Sequence, residues 1–169
     1  LSVNAQTKVH YSEKRLKADT SKADFDGPYI FYTQTEAVVK QIVEKNQQAT
    51  LVSETFKNPI AGKKLTCYVD NKEHFSFKVQ ELLQNQPSVY QMPEKLIAIS
   101  DIEGRYQEFK QFLIANKVMD KNYKWTFGKG HLVTVGDFFD RGLLVNQTLW
   151  LIYSLEEQAE KAGGKVHFI

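Results

Sequence analysis

Two short segments of this chain place acidic residues beside glycine and arginine at spacings that suit metal and phosphate chemistry. "SDIEG" covers residues 100 to 104, and "GDFFDRG" covers residues 136 to 142. Their chemically important side chains are Asp101, Glu103, Asp137, Asp140 and Arg141. Carboxylate oxygens are hard ligands that suit Mg, Mn and Fe ions, and the planar arginine fork binds two phosphate oxygens at once. The residue types therefore predict a divalent metal site next to a phosphate site.

The sequence around these segments predicts how they meet. "KLIAIS" and "HLVTV" are short apolar runs typical of buried strands, and an acidic segment follows each of them directly. Helical apolar spacing marks "YQEFKQFLIANKV" and "NQTLWLIYSLEEQAEKAG", and a third strand begins at "KVHFI". The order β-α-β-α-β predicts a parallel sheet with right-handed crossovers. Because parallel strands end at one common edge, we expect the two acidic segments to converge there.

The preceding part of the chain has a different pattern. "PYIFYT", "AVVKQIV", "ATLVSETF", "KLTCYVD" and "HFSFKV" are short runs rich in β-branched and aromatic residues, separated by polar, Gly, Pro or Asn breaks. They predict an antiparallel β module over residues 24–92, with a hairpin turn at "VDNKEH". Residues 1–23 are mostly polar and are interpreted as a flexible lead-in. The predicted fold class is α+β overall, with the β-α-β-α-β part occupying residues 93–169.

Composition limits the function classes. The chain has 169 residues, 42% of them hydrophobic and 25% charged, which is typical of a globular protein with a real core. Its formal charge of +2 carries no long block of one sign, which argues against nucleic acid or a membrane surface as the main partner. The sequence also has no run of about 18 apolar residues that would predict a membrane span. With Cys67 as its one cysteine, an internal disulfide and a cysteine-based zinc site are both excluded.

The location of the protein stays open. Val3, Asn4 and Ala5 fit the small-x-small pattern that precedes a signal-peptidase cut, so residues 1–5 suggest an exported protein, periplasmic or secreted. Alternatively, the sequence begins at an arbitrary position and residues 1–5 are no signal. The protein would then be cytoplasmic.

The two acidic segments together carry a family resemblance. A strand followed by Asp-x-x-Gly, with a later Gly-Asp-x-x-Asp-Arg-Gly, resembles the calcineurin-like metallophosphoesterases, and the "DRG" ending resembles their branch of Ser/Thr protein phosphatases and diadenosine tetraphosphatases. The resemblance covers residues 96–169. It implies the first part of a metallophosphoesterase α/β sandwich, with two divalent ions that bind phosphate and generate hydroxide for in-line attack. The implied substrate is a phosphorylated protein, a nucleotide or another small phosphoester.

The resemblance also implies residue roles. Asp101 matches a metal ligand, Asp137 the aspartate that bridges both ions, and Arg141 the arginine that binds phosphate. Asp140 matches an acid that orients a histidine of the next motif, so Asp140 and Arg141 are the implied catalytic residues. At Glu103 the family usually has histidine, so an oxygen ligand there would favour Mn, with Mg or Fe as alternatives. Whether Glu103 is a ligand or a solvated loop acid stays open.

The chain stops at "KVHFI", before the Gly-Asn-His-Glu motif that the resemblance calls for. We therefore expect an incomplete site, weak metal binding, no turnover by this chain alone and self-association through uncovered sheet surface. A second interpretation is a non-catalytic binding protein that keeps a degenerate form of the same fold.

Overall fold

The computed structural model describes residues 25–81 and 86–169, and these residues form an α+β fold. The predicted lead-in, residues 1–23, and the signal-like residues 1–5 lie outside that part. Within it, eight strands and two helices follow one another along the chain. They are β1 (Asp26–Tyr32), β2 (Glu36–Lys45), β3 (Gln48–Lys57), β4 (Lys64–Tyr68), β5 (His74–Lys78), β6 (Leu96–Ile99), α1 (Tyr106–Ala115), β7 (His131–Thr134), α2 (Val145–Lys161) and β8 (Lys165–Phe168). Neither of these two helices is long and apolar enough to cross a membrane.

The first five strands are antiparallel, as predicted, and they form two sheets. One sheet has the order β1-β2-β3, and β4 and β5 form a separate hairpin. In β5 the burial alternates, with Phe75 and Phe77 buried between exposed neighbours. This period of two is the pattern from which the strand was predicted. The predicted turn is present at the hairpin tip, where the Asp70 carboxylate accepts hydrogen bonds from the backbone N–H groups of Lys72 and Glu73.

The predicted parallel sheet is also present. Its order is β6-β7-β8, and both strand pairs are parallel. Leu132 and Thr134 of β7 are fully buried, whereas the residues that alternate with them are half-buried. On α1, Phe109 and Leu113 form part of the buried face, and this i, i+4 pair was part of the helix prediction. Strands β6 and β7 therefore end side by side, at the edge where the two acidic segments begin.

The two parts of the chain share one hydrophobic core. The ring of Phe77 in β5 stacks on Trp150 of α2, with ring centroids 4.2 Å apart. The Trp150 indole N–H also donates a 2.8 Å hydrogen bond to the Pro28 carbonyl in β1. Gln147, fully buried on the same helix, donates to the Tyr68 carbonyl at 3.2 Å. Helix α2 is thus the surface on which the hairpin and the first strand pack, although the predicted division near residue 92 separates them in sequence.

Candidate metal centre

Three acidic side chains meet at the edge of the parallel sheet. Asp101 follows β6, and Asp137 follows β7. One carboxylate oxygen from each of Asp101, Glu103 and Asp137 lies within 4.8 Å of the other two, and we call these three residues the carboxylate cluster. Asp140 is exposed and stands outside it. The fold thus brings together the three residues that the sequence predicts as metal ligands, although the two loops are far apart along the chain.

Backbone hydrogen bonds join the two acidic loops into one unit. The Glu103 N–H donates to the Asp137 carbonyl at 3.0 Å, and the Gly142 N–H donates to the Glu103 carbonyl at 2.6 Å. A third bond runs from the Leu144 N–H to the Gly104 carbonyl at 3.3 Å. Main-chain bonds of this kind fix the loops without using any of the acidic side chains. The loops that carry the carboxylates are therefore held in place by the main chain and not by the acidic side chains.

Two glycines allow this close approach. A Cβ atom on Gly104 would overlap the backbone of Gly142, and a Cβ atom on Gly142 would overlap the backbone of Gly104. Gly104 also has a φ of +69°, a conformation that is strained for other residues. Glycine at both positions is thus a steric requirement of the joined loops.

The acidic residues themselves adopt uncommon backbone conformations. Asp101, Glu103 and Asp137 have φ values of 55°, 50° and 50°, and Asp140 has a φ of 106°. Left-handed conformations are uncommon outside glycine and are concentrated at functional sites, where the surrounding structure maintains them. Here the hydrogen bonds between the loops supply that support.

Glu103 is buried and paired with two arginines. It is 8% exposed, and its carboxylate lies 3.1 Å from Nε of Arg141 and 3.9 Å from Nε of Arg105. The interpretation of Glu103 as a solvated loop acid is therefore wrong, because the packing of the two loops encloses it. Sequence reasoning assigned no role to Arg105. The side chain of Arg141 stays 65% exposed, so part of its guanidinium faces solvent.

The two phenylalanines of the second loop have opposite environments. Phe138 is 4% exposed and stacks on Phe168 at the end of β8, with ring centroids 4.5 Å apart. Phe139 is 60% exposed. The buried ring anchors the loop to the sheet, and the next side chain is left exposed to solvent.

Another acidic residue, Glu73 at the tip of the β4–β5 hairpin, was not identified from the sequence. Its carboxylate accepts hydrogen bonds from the Tyr123 hydroxyl at 2.6 Å, the Lys110 ammonium at 2.9 Å and the Gln107 amide at 3.1 Å, and we call this set the Glu73 network. Burial alone raises the pKa of Glu73, but these hydrogen bonds outweigh it and hold the pKa below its usual value. The partners lie 34 to 50 positions away in sequence, so no local pattern signals them.

A pair of histidines lies on the half-buried face of the parallel sheet. Nε2 of His167 and Nδ1 of His131 are 3.0 Å apart, and the ring of Tyr90 meets His167 edge-on. Burial, His131 and Lys165 together lower the pKa of His167. This arrangement is explained by the packing of a neutral His167 ring, which shares one hydrogen bond with His131, and it needs no catalytic role.

The donor set of the carboxylate cluster fits a divalent cation. All three donors are carboxylates, which suit Mg or Mn, and like charges this close repel one another unless a cation lies between them. Three carboxylates, together with water, would suffice to hold one such ion. They are too few for the two ions that the resemblance implied, unless further ligands join them.

Comparison with known proteins places the chain beside protein phosphatases. No family model matches it. It is 34% identical over 86 residues to Shewanella-like protein phosphatase 2 of Arabidopsis thaliana, which is 51% of this chain and 21% of that protein. It is 33% identical over 75 residues to Shewanella-like protein phosphatase 1 of Plasmodium berghei, 44% of this chain and 21% of that protein. The matched segments thus span about a fifth of these curated relatives.

Among solved structures, the chain is similar to the cold-active protein-tyrosine phosphatase of a psychrophilic Shewanella species. The TM-score is 0.69 at 32% identity, over 87% of this chain and 43% of that one. This similarity includes the β module as well as the parallel sheet, because it extends over most of the chain.

These findings correct the family suggested by the motifs. The relatives are Shewanella-like protein phosphatases and a cold-active protein-tyrosine phosphatase, a different family from the calcineurin-like metallophosphoesterases. The motif resemblance was too general to identify the family, because short acidic loops at strand ends depend on the chemistry they serve more than on ancestry. What the comparisons support is a phosphatase-like α+β fold.

Proposed function

We propose that the protein is a phosphatase that hydrolyses phosphate monoesters on proteins, with a divalent cation held by Asp101, Glu103 and Asp137. The observation that supports this most directly is the convergence of three carboxylates within 4.8 Å. Arg141 beside them offers a phosphate ligand, and the similar proteins are named protein phosphatases.

Each residue has a distinct task in this proposal. Asp101 and Asp137, both exposed, offer their oxygens to the cation from two different loops. Glu103 also offers a carboxylate oxygen to the cation, and it holds Arg141 through the 3.1 Å ion pair, so the guanidinium is oriented before a phosphate arrives. The exposed part of Arg141 donates to phosphate oxygens and stabilises their charge. A cation bound here supplies positive charge to the phosphate and makes water a better nucleophile.

The substrate class is taken from the similar proteins. Their names specify proteins as substrates, and one specifies tyrosine. We therefore include phosphotyrosine among the substrates. The proposed ion is Mn, with Mg or Fe as alternatives. Asp140 keeps its proposed task of orienting another catalytic group.

The proposal is tested by calorimetric titration of the 169-residue chain with Mn²⁺, together with the Asp101→Asn variant. We expect saturable binding to the wild type and at least about tenfold weaker binding to the variant, since one ligand is lost. Glu108→Gln, which removes one negative charge from the exposed face of α1, serves as the matched control and keeps wild-type affinity. Equal Mn²⁺ affinity of all three proteins would contradict the metal site.

Turnover is measured in the same samples with an aryl phosphate. We expect none from this chain alone, because three carboxylates and one arginine leave the general acid unassigned. Hydrolysis that follows Mn²⁺ occupancy would contradict that expectation of inactivity while supporting the phosphatase itself.

The second candidate, a non-catalytic binding protein, is favoured by one observation. Arg141 already forms an ion pair with Glu103, which occupies part of the group that a phosphate needs. Binding of inorganic phosphate without any effect of Mn²⁺ would support this candidate over the phosphatase.

A further inference from the structure

Phe139 is an exposed aromatic side chain at the candidate metal centre. It is 60% exposed, whereas its neighbour Phe138 is 4% exposed. Burying an aromatic ring of this size would be favourable, so its exposure to water carries a free-energy cost. Neither the metal site nor the phosphate site proposed above uses Phe139.

The position of this ring is restricted relative to the proposed phosphate. Phe139 lies two residues from Asp137 and two residues from Arg141, so its Cα lies within about 7.6 Å of both of theirs. The stack of Phe138 on Phe168 holds the loop at the end of β8, and the side chain of Phe139 that follows is exposed. Leu143, two residues beyond Arg141 in the sequence, is also 60% exposed and adds apolar surface to the same loop.

An aryl phosphate and an alkyl phosphate differ in the group that each would place next to Phe139. In an aryl ester the ring is bonded directly to the ester oxygen, so it must lie within a few atoms of the bound phosphate. Aromatic rings pack favourably at centroid separations of about 4.5 to 7 Å, in offset or edge-on arrangements. An alkyl ester such as phosphoserine has no ring that could form this contact.

We propose that Phe139 determines specificity at this site by packing against the ring of aryl phosphates, phosphotyrosine among them, in preference to alkyl phosphates. The inference rests on the proposed phosphatase function and adds to it the residue that selects the substrate. Aromatic pairing of this kind corresponds to a preference of about 2- to 12-fold.

The test measures binding with phosphonates, which are not hydrolysed. Benzylphosphonate represents the aryl substrate and ethylphosphonate the alkyl one, and each is titrated into the Mg²⁺-loaded chain by NMR. The ratio of the two Kd values is compared among wild type, Phe139→Ala and Phe139→Tyr. Phe31→Ala is the matched control, because Phe31 is 53% exposed on β1 and lies outside the acidic loops.

We expect a wild-type ratio that favours benzylphosphonate, a ratio near one for Phe139→Ala, and a retained preference for Phe139→Tyr and Phe31→Ala. An unchanged ratio in Phe139→Ala would overturn the role of Phe139. Equal binding of both phosphonates by the wild type would also overturn it and would leave the phosphatase proposal standing. Failure of the wild type to bind either phosphonate or inorganic phosphate would overturn both proposals.

Discussion

Two acidic sites in this protein have opposite surroundings. Glu73 receives hydrogen bonds from a hydroxyl, an ammonium and an amide, so its charge is satisfied by the fold itself. Carboxylate oxygens of the cluster instead lie within 4.8 Å of one another, and in the described part of the chain the only member paired with arginines is Glu103. The Glu73 network stabilises the contact of the hairpin with α1. The carboxylate cluster leaves like charges close together, which is favourable only when a cation joins them.

The largest expected effect comes from removing a charge from the carboxylate cluster. Asp137→Asn should weaken Mn²⁺ binding about a hundredfold or more, because the neutral amide is a poorer ligand than the carboxylate. The thermal unfolding midpoint should stay within a few degrees of wild type, since the loops are joined by main-chain bonds. Calorimetry and thermal unfolding measure the two quantities, and a mutant that keeps more than about a tenth of the wild-type Mn²⁺ affinity contradicts the assignment.

Separating the two acidic loops should affect both stability and binding. Gly142→Ala places a Cβ against the backbone of Gly104, and we expect a loss of about 2 to 3 kcal/mol with weaker Mn²⁺ binding. Gly128→Ala is the control, because its φ of +60° is strained but its Cβ meets no atom of the described residues within 4 Å. Urea unfolding measures the stability of both variants, and calorimetric titration measures their Mn²⁺ affinity. A Gly142→Ala protein that binds Mn²⁺ like the control would show that the loop contact is not needed for metal binding.

Breaking the Glu73 network should lower the free energy of unfolding without changing the Mn²⁺ affinity. Glu73→Ala leaves the donors of Tyr123, Lys110 and Gln107 without their acceptor, and we expect a loss of about 2 kcal/mol in the free energy of unfolding. Its Mn²⁺ affinity should equal that of the wild type. Changed Mn²⁺ affinity in this variant, measured under conditions where it is fully folded, would show that the two acidic sites are coupled.

The smallest effect concerns pH. Because the folded-state pKa of Glu73 lies below its ordinary value of 4.5, the ionised carboxylate contributes stability above that value and loses it as the pH falls through the folded pKa. Glu73→Gln lacks this contribution, so it should be less stable than wild type by about 1 kcal/mol at neutral pH. Urea unfolding at successively lower pH should show the difference shrinking below pH 4.5. A difference that stays constant with pH would contradict the proposed cause.

Much of the fold could be predicted from local pattern. The alternation of Phe75 and Phe77 identified a strand, and the spacing of Phe109 and Leu113 identified a helix, because each period follows from the geometry of one element. The convergence of the two acidic loops was predictable for a similar reason, since parallel strands end at one edge.

Other features could not be predicted from the sequence, because they depend on contacts between distant segments. The burial of Glu103 results from the packing of Gly104 on Gly142, which no local pattern specifies. The Glu73 network needs the hairpin to reach α1 and Tyr123. The family was also misassigned, since a few acidic residues at two strand ends are compatible with more than one family.

The packing of the hairpin on α2 has a consequence for synthesis on the ribosome. Gln80 and its partner Tyr153 are separated by 73 positions, and Phe77 stacks on Trp150 of the same helix. At about 5 to 20 residues per second, the helix emerges roughly 4 to 15 seconds after the strand. During that interval the ring of Phe77 has no partner from α2. A nascent chain that stalls in this window would expose Phe77 to other chains, and chaperone binding there would protect it.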